Sequence, residues 1–148
     1  MPLIRFLTLF AFFISFCGIR AQCQLDSLRL VWSDSTETDS ARFTALNAVY
    51  PDYSFNLPDT AFAIASYHLE LAKDRDSKDE IVKALNEVGI GLFIQYKPDS
   101  SLMLFEEALV IRKAQNDSSG IARLYTNIGS IYRFKNNYQE ALRYYIRS

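Results

Sequence analysis

Histidine and cysteine are scarce in this chain of 148 residues, which has one histidine, His68, and two cysteines, Cys17 and Cys23. A hydrolytic triad or a zinc site needs several such side chains at defined spacings, and the sequence has no such cluster. Glycine is also rare, with five residues, while 49% of the chain is hydrophobic and 22% is charged, as in a folded domain. We therefore expect no catalytic residues, no metal ligands and no cofactor.

A long hydrophobic run is missing as well. The apolar stretch at residues 6–17 has twelve residues, fewer than the roughly 20 needed to cross a bilayer as a helix. It follows Arg5 and precedes the small Ala21, which is the layout of a secretory signal peptide. We expect cleavage after Ala21, export and a periplasmic location. Because Ile19 stands where a small residue is preferred, an uncleaved membrane anchor is the alternative; the bulky and charged residues nearby disfavour lipidation at Cys23.

Neither sign of charge dominates the chain. Removal of the leader leaves 14 basic and 17 acidic side chains and a net charge of −3, so nucleic-acid binding gains no support. Cys23 would then be the sole thiol, which excludes an intrachain disulfide. The signs are uneven, since residues 118–148 hold five bases and one acid, Glu140. This end suits an anionic partner, although a solvated helix face explains it more simply.

What the chain does contain is an internal repeat with a period of about 40 residues. The Pro-Asp-Thr sequence at 58–60 recurs as Pro-Asp-Ser at 98–100, and Val-Gly at 88–89 recurs as Ile-Gly at 128–129. A period of about 20 to 50 residues is typical of units that bury their apolar faces by stacking on one another. Because the apolar residues also fall at helical spacing, we expect an all-α array of stacked helix pairs.

The expected helices form three pairs. They lie at residues 40–50, 58–73, 77–96, 98–115, 118–134 and 138–147. Pro58 and Pro98 suit the first turn of a helix, and Ser77 with Glu80 predicts a capping box. The domain organisation that follows is a signal peptide at 1–21, a short helix (residues 25–32) and polar linker within 22–39, and a repeat domain at 40–148.

Small residues recur among large apolar ones in each pair. In the last pair they alternate at Tyr125, Ile128, Gly129, Tyr132, Ala141 and Tyr145. With this pattern the chain resembles the tetratricopeptide repeat family. The usual family period is about 34 residues, so the period of about 40 found here resembles an extended subclass with longer helices. The resemblance implies a right-handed α-solenoid of antiparallel helix pairs, with about three repeats. The middle pair departs from the family pattern at Ser101, where alanine is usual.

Two glycines and the lone histidine are expected to be packing residues. Gly89 and Gly129 each cost a helix about 1 kcal/mol relative to alanine, which a neighbouring helix packed against the bare backbone would offset. Bulky substitution there should push the helices apart. His68 lies one repeat period before Ala108 and so occupies the same position of the repeat.

The resemblance also implies a face that binds a protein or peptide, lined mainly by the first helix of each pair. Spacing along those helices selects Lys83, Asn86, Ile90 and Phe93, and one repeat period later Arg123, Thr126, Ser130 and Arg133. Asn127 stands where family members that grip peptide backbones often carry asparagine. An ordinary solvated surface is the alternative for these residues.

Two functions fit this organisation. A leader, a polar linker and 40-residue repeats resemble the input region of Bacteroidetes-type membrane signalling proteins, in which a transmembrane helix and a histidine kinase or cyclase follow. The other function is a free-standing exported scaffold. Because no polar capping helix follows the last expected helix (residues 138–147), we expect a truncated array; the alternative is self-association through the uncapped last repeat. Membrane attachment would come from an uncleaved leader or a helix downstream.

Overall fold

Helices account for the regular structure of the described part of the chain, residues 30–31 and 33–148, in the computed structural model. They are α1 (Asp39–Asn56), α2 (Pro58–Asp74), α3 (Lys78–Ile94), α4 (Pro98–Ala114), α5 (Ser118–Phe134) and α6 (Tyr138–Arg147). No strand occurs in those residues, which confirms the predicted all-α class. The leader and Cys23 lie outside them, as does most of the short helix expected at 25–32.

The chain divides into two compact units, Met1–Val49 and Tyr50–Ser148. The described part of the first unit contains a polar turn in which the carboxylate of Asp34 accepts hydrogen bonds from the backbone N–H of Thr36 at 2.8 Å and from its hydroxyl at 2.7 Å. These bonds hold the pKa of Asp34 below its usual range. The Thr38 hydroxyl then accepts from the backbone N–H of Ala41 at 3.2 Å and caps the start of α1.

Helix α1 runs six residues beyond its expected end at Tyr50. The residue before a proline disfavours helical angles, which favours a helix end at Tyr50. In the structure Pro51 lies inside the helix. Proline removes its own backbone donor and its ring crowds the carbonyl four residues earlier. The backbone bonds nevertheless resume downstream, where Leu57 donates to the carbonyl of Tyr53 at 2.9 Å.

The four turns between α2 and α6 share one geometry. Each contains a residue with positive φ: Asp76 (47°), Tyr96 (58°), Asn116 (55°) and Asn136 (60°). The next backbone N–H donates to a carbonyl five residues earlier, as in Ser77 to Ala72 at 3.0 Å, which is a Schellman motif. These short turns make consecutive helices antiparallel. Their spacing of 20 shows that each 40-residue repeat consists of two similar half-units.

The helix starts of α3 and α5 differ in their side-chain caps. The carboxylate of Asp117, directly before α5, accepts a hydrogen bond from the backbone N–H of Gly120 at 2.9 Å. The capping box at Ser77 was wrong, because the Ser77 side chain makes no cap hydrogen bond. Its expected partner Glu80 is held elsewhere, since its carboxylate lies 3.1 Å from Nε2 of His68.

Neighbouring helices in the second unit pack in chain order, α2 on α3, α3 on α4, α4 on α5 and α5 on α6. The glycines permit this packing, as expected: a Cβ at Gly89 would lie 2.5 Å from the Phe105 ring, and one at Gly129 would lie 2.8 Å from the Tyr145 ring. The departure at Ser101 also has a reason, because its buried hydroxyl donates to the Gly89 carbonyl at 2.6 Å. One hydrogen bond therefore ties α4 to α3 at Gly89.

Candidate functional site

A groove of about 410 Å³ lies between α3 and α5. Its lining from α3 consists of Val82, Lys83, Asn86, Glu87 and Ile90, and its lining from α5 consists of Gly120, Arg123, Leu124, Thr126 and Asn127. Arg112 of α4 completes it. We call this surface the α3–α5 groove.

Most of the residues selected by spacing lie in this groove. Six of the nine line it, namely Lys83, Asn86, Ile90, Arg123, Thr126 and Asn127. The two helices begin one repeat period apart and have equal length, so equivalent rows face the same space. Phe93, Ser130 and Arg133 do not line it. Ser130 is instead 3.2 Å from the Tyr145 hydroxyl of α6.

Two asparagine side chains join the walls of the groove. Nδ2 of Asn127 donates to Oδ1 of Asn86 at 2.7 Å. Within the described residues neither amide has another hydrogen-bond partner, so the Asn86 amino group and the Asn127 carbonyl oxygen remain available. A peptide backbone offers one acceptor and one donor per residue. The pair can therefore satisfy an extended backbone laid across it.

The charges of the groove are mostly neutralised by neighbouring side chains. Lys83 is 2.6 Å from the Glu80 carboxylate, and Arg112 is 2.6 Å from Asp79. Arg123 is exposed and has no acidic partner among the described residues. An anionic group on a ligand would therefore be attracted to Arg123 first.

Five lining residues were not selected by spacing, namely Val82, Glu87, Arg112, Gly120 and Leu124. Arg112 differs from the other four because it lies on a second helix, whereas the selection followed first helices. Its guanidinium is largely buried, and Nε makes no hydrogen bond although it lies 3.4 Å from a carboxylate oxygen of Asp117. Hydrogen bonds from Arg112 and Gln115 hold the pKa of Asp79 below its usual range. Two carboxylates and an amide thus fix the cation at one end of the groove.

Behind the groove wall, His68 of α2 is completely buried, in agreement with its expected packing role. Its hydrogen bonding was missed. Nδ1 lies 3.1 Å from Glu87, and Nε2 lies 3.1 Å from Glu80. Both nitrogens can donate only in the imidazolium form; with a neutral ring, one carboxyl must carry the proton.

A second contact holds Glu87 from the other side. The Tyr50 hydroxyl donates to the Glu87 backbone carbonyl at 3.1 Å. Burial, reinforced by the Glu87 charge, raises the pKa of Tyr50 to about 12. The groove wall at Glu87 is therefore fixed through both its backbone and its side chain.

The buried cluster has no counterpart in the next repeat. There His68, Glu80 and Glu87 are replaced by Ala108, Gly120 and Asn127. Helical spacing alone gave no signal that these three side chains meet. Across residues 30–31 and 33–148, no group of three or more His, Cys, Asp or Glu residues could hold a metal ion. No helix there is both long and apolar enough to span a bilayer.

Comparison with known families and structures agrees with the helix pairs. Residues 80–148 match the model of the tetratricopeptide repeat family. These residues have the sequence pattern of tetratricopeptide repeats. No curated protein sequence matches the chain significantly.

Two solved structures resemble the chain in fold. The tetratricopeptide repeat domain of Arabidopsis FLU superposes with a TM-score of 0.63 at 24% identity, over 70% of this chain and 87% of that one. BtubC (BKLC) from P. vanneervenii superposes with a TM-score of 0.71 at 14% identity, over 84% of this chain and 51% of that one. The chain thus spans about half the length of BtubC.

Tetratricopeptide repeats are protein-interaction modules, and repeat arrays of this kind present extended binding surfaces. Every lining residue of the α3–α5 groove lies within the residues that match the family. The whole groove is therefore built from the repeats. Its lining distinguishes this repeat domain from others, because a shared fold leaves the choice of ligand open.

Proposed function

We propose that the repeat domain binds an extended, acidic segment of a partner protein in the α3–α5 groove. The observation that carries this proposal is Arg123, an exposed cation without an acidic partner among the described residues, in the same groove as the Asn86–Asn127 amide pair. The amides recognise backbone, and the guanidinium recognises a carboxylate. Together they suit a peptide better than a small apolar molecule.

Glu87 lines the same groove but does not oppose this choice. Its carboxylate is 3.1 Å from the buried imidazole of His68, which occupies part of its hydrogen-bonding capacity. Arg112 and Lys83 similarly face carboxylates of the protein. The charge that a ligand meets is therefore dominated by Arg123, and an acidic residue is favoured at that point.

Binding of labelled peptides tests the proposal. Three fluorescein-labelled ten-residue peptides of Gly and Ser carry two Glu, two Lys or no charged residue, and their affinities are measured by fluorescence anisotropy. We expect the Glu peptide to bind best. Arg123→Glu should weaken it by about tenfold or more, because an attraction is replaced by repulsion between like charges.

The matched control is Arg147→Glu on α6. Arg147 is also exposed and without an acidic partner in the described part of the chain, but it lies outside the groove. The variant makes the same change of charge and should bind as the unmodified protein does. Equal binding of all three peptides, or equal losses in the two variants, would refute the groove as the acidic-peptide site.

For the biological role, we propose that this repeat domain is the exported input region of a membrane signalling protein. The support is the leader-like sequence at residues 1–21 followed by a polar linker and 40-residue repeats. The protein would be held at the outer side of the inner membrane and would sense a periplasmic peptide or protein. A free-standing exported scaffold is the second candidate, supported by the same leader.

The intact mass of the protein isolated from its native cells separates the two roles. A mass well above 17 kDa, with the protein in the membrane fraction, is expected for an input region. A soluble periplasmic protein with the mass of residues 22–148 would establish the scaffold. A cytoplasmic protein that retains residues 1–21 would refute both.

A further inference from the structure

An exposed aromatic cluster lies beyond the α3–α5 groove. The rings of Phe93 and Phe134 meet edge to face with centroids 5.3 Å apart, and the Tyr96 ring is 6.3 Å from that of Phe134. Phe134 is 47% exposed and Tyr96 is 79% exposed. Aromatic rings left in water at one place are a common feature of binding surfaces.

The cluster is in register with the amide pair of the groove. Asn86 and Phe93 are seven positions apart on α3, and Asn127 and Phe134 are seven positions apart on α5. Residues seven apart share a helix face two turns along, a rise of about 10 Å. One amide contact and one aromatic contact therefore follow each other along the same pair of helices.

An unpaired cation lies on the same helix face as the amide pair. Arg123 is four positions before Asn127 on α5, is exposed and has no acidic partner among the described residues. The surface is thus basic at its groove end and apolar at the aromatic cluster. It is complementary to a segment that carries both acidic and apolar side chains.

The backbone at Tyr96 adds to this picture. Asp and Asn occupy the three equivalent turn positions, and they tolerate positive φ, whereas a tyrosine there is strained. A tyrosine at that position places its ring next to Phe134. The least favourable residue for the turn is therefore a member of the aromatic cluster.

We propose that Phe93, Tyr96 and Phe134 form an anchor site for one aliphatic or aromatic side chain of the acidic segment that occupies the groove. This inference rests on the proposed function and specifies its ligand. Arg123 and Phe134 are eleven positions apart, a rise of about 16 Å along α5. An extended peptide advances about 3.3 Å per residue, so the apolar side chain lies about five residues from the acidic one.

A spacing series tests the anchor site. Fluorescein-labelled peptides of Gly and Ser carry two adjacent Glu and one Leu placed one to eight residues away, on either side. We expect the affinity to be highest when Leu lies about five residues from the Glu pair, on one side of the pair only. The peak should exceed the peptide without Leu by about tenfold, the effect of burying much of a leucine side chain.

Variants of exposed apolar residues distinguish the anchor from general hydrophobicity. Phe134→Ser and Tyr96→Ser should reduce the peak to the affinity of the peptide without Leu. Val110→Ser, which changes an exposed apolar residue of α4 outside the cluster, should leave the peak unchanged. The melting temperature of each variant verifies that it is folded.

The outcomes separate this inference from the proposed function. Binding that depends on Arg123 but not on Leu spacing, or a peak that survives Phe134→Ser and Tyr96→Ser, would overturn the anchor site and leave the acidic groove intact. If no peptide binds in an Arg123-dependent manner, both proposals fail.

Discussion

One buried histidine distinguishes the interface between α2 and α3 from the interface between α4 and α5. His68 contacts two carboxylates of α3, while its equivalent Ala108 faces positions occupied by Gly120 and Asn127. Burying charged groups is unfavourable unless they are paired. The three polar residues of the first interface are therefore expected to depend on one another.

Replacement of the imidazole should be costly. His68→Ala removes the shared partner of Glu80 and Glu87 and should lower the free energy of unfolding by about 3 kcal/mol, as when one member of a buried ion pair is lost. Urea denaturation measures the change. Adding Glu87→Gln should restore part of it, because Glu87 loses its charged partner in His68→Ala, whereas Glu80 keeps Lys83 at 2.6 Å. A loss below about 1 kcal/mol would show that the cluster is energetically neutral.

A second residue-scale prediction concerns acid. Because the pKa of Asp79 is lowered by Arg112 and Gln115, the folded state binds protons there less readily than the unfolded chain. The contribution is present above the ordinary carboxyl pKa of about 4 and is lost as the pH falls through the lower folded value. Asp79 is well exposed, so solvent screening keeps the effect modest.

The pH dependence of melting measures this contribution. At pH 7 the melting temperature of Asp79→Asn should be lower than that of the unmodified protein. Below about pH 4 the two melting temperatures should converge. Asp74→Asn, at an exposed carboxylate without a basic partner in the described residues, is the control and should show no such convergence. A constant difference across the pH range would contradict the assignment.

Helices and turns repeat more regularly than the side chains on them. The bounds of α5 and α6 match those expected from the sequence, and α2 and α4 differ from expectation by one residue. Local signals suffice because first-turn prolines, Asn and Asp at turns, and apolar spacing act within one turn of helix. The capping box failed because Glu80 has a tertiary partner, His68, from another helix.

The two helix-pair glycines should differ in their response to alanine. Alanine gains about 1 kcal/mol of helix propensity at either site. At Gly89 the new methyl meets the buried Phe105 ring, which has no room to move, so the net effect should be a loss of about 1 kcal/mol. At Gly129 the half-buried Tyr145 ring can shift, and the net effect should be near zero. Thermal unfolding of both variants checks the order; equal effects would contradict it.

The charge of the whole molecule opposes the proposed ligand, while its local distribution favours it. Residues 22–148 have 14 basic and 17 acidic side chains, a net charge of −3, yet residues 118–148 have five bases and one acid. Charges further away than about 10 Å are screened at ordinary ionic strength. Arg123, the unpaired cation that lines the groove, therefore determines the electrostatic part of binding, and the acidic remainder contributes little.

Added salt should reveal this balance. Raising KCl from about 0.1 M to 0.5 M should weaken the Glu peptide roughly threefold to tenfold, since exposed ion pairs are screened. The Arg123→Glu variant should show no weakening with salt. Fluorescence anisotropy across a salt titration measures both proteins, and tighter binding to the unmodified protein at high salt would contradict an electrostatic contribution from Arg123.

The sequence by itself determined the repeat period, the helices, the small residues at close approaches and six of the groove residues. Each of these depends on neighbours along the chain or on the regular spacing of the repeats. The tertiary structure alone decided that Asn127 meets Asn86, that Arg112 enters the groove and that Phe134 meets Phe93. Spacing assigns a side chain to a face of its helix, but the packing of helices decides which faces meet.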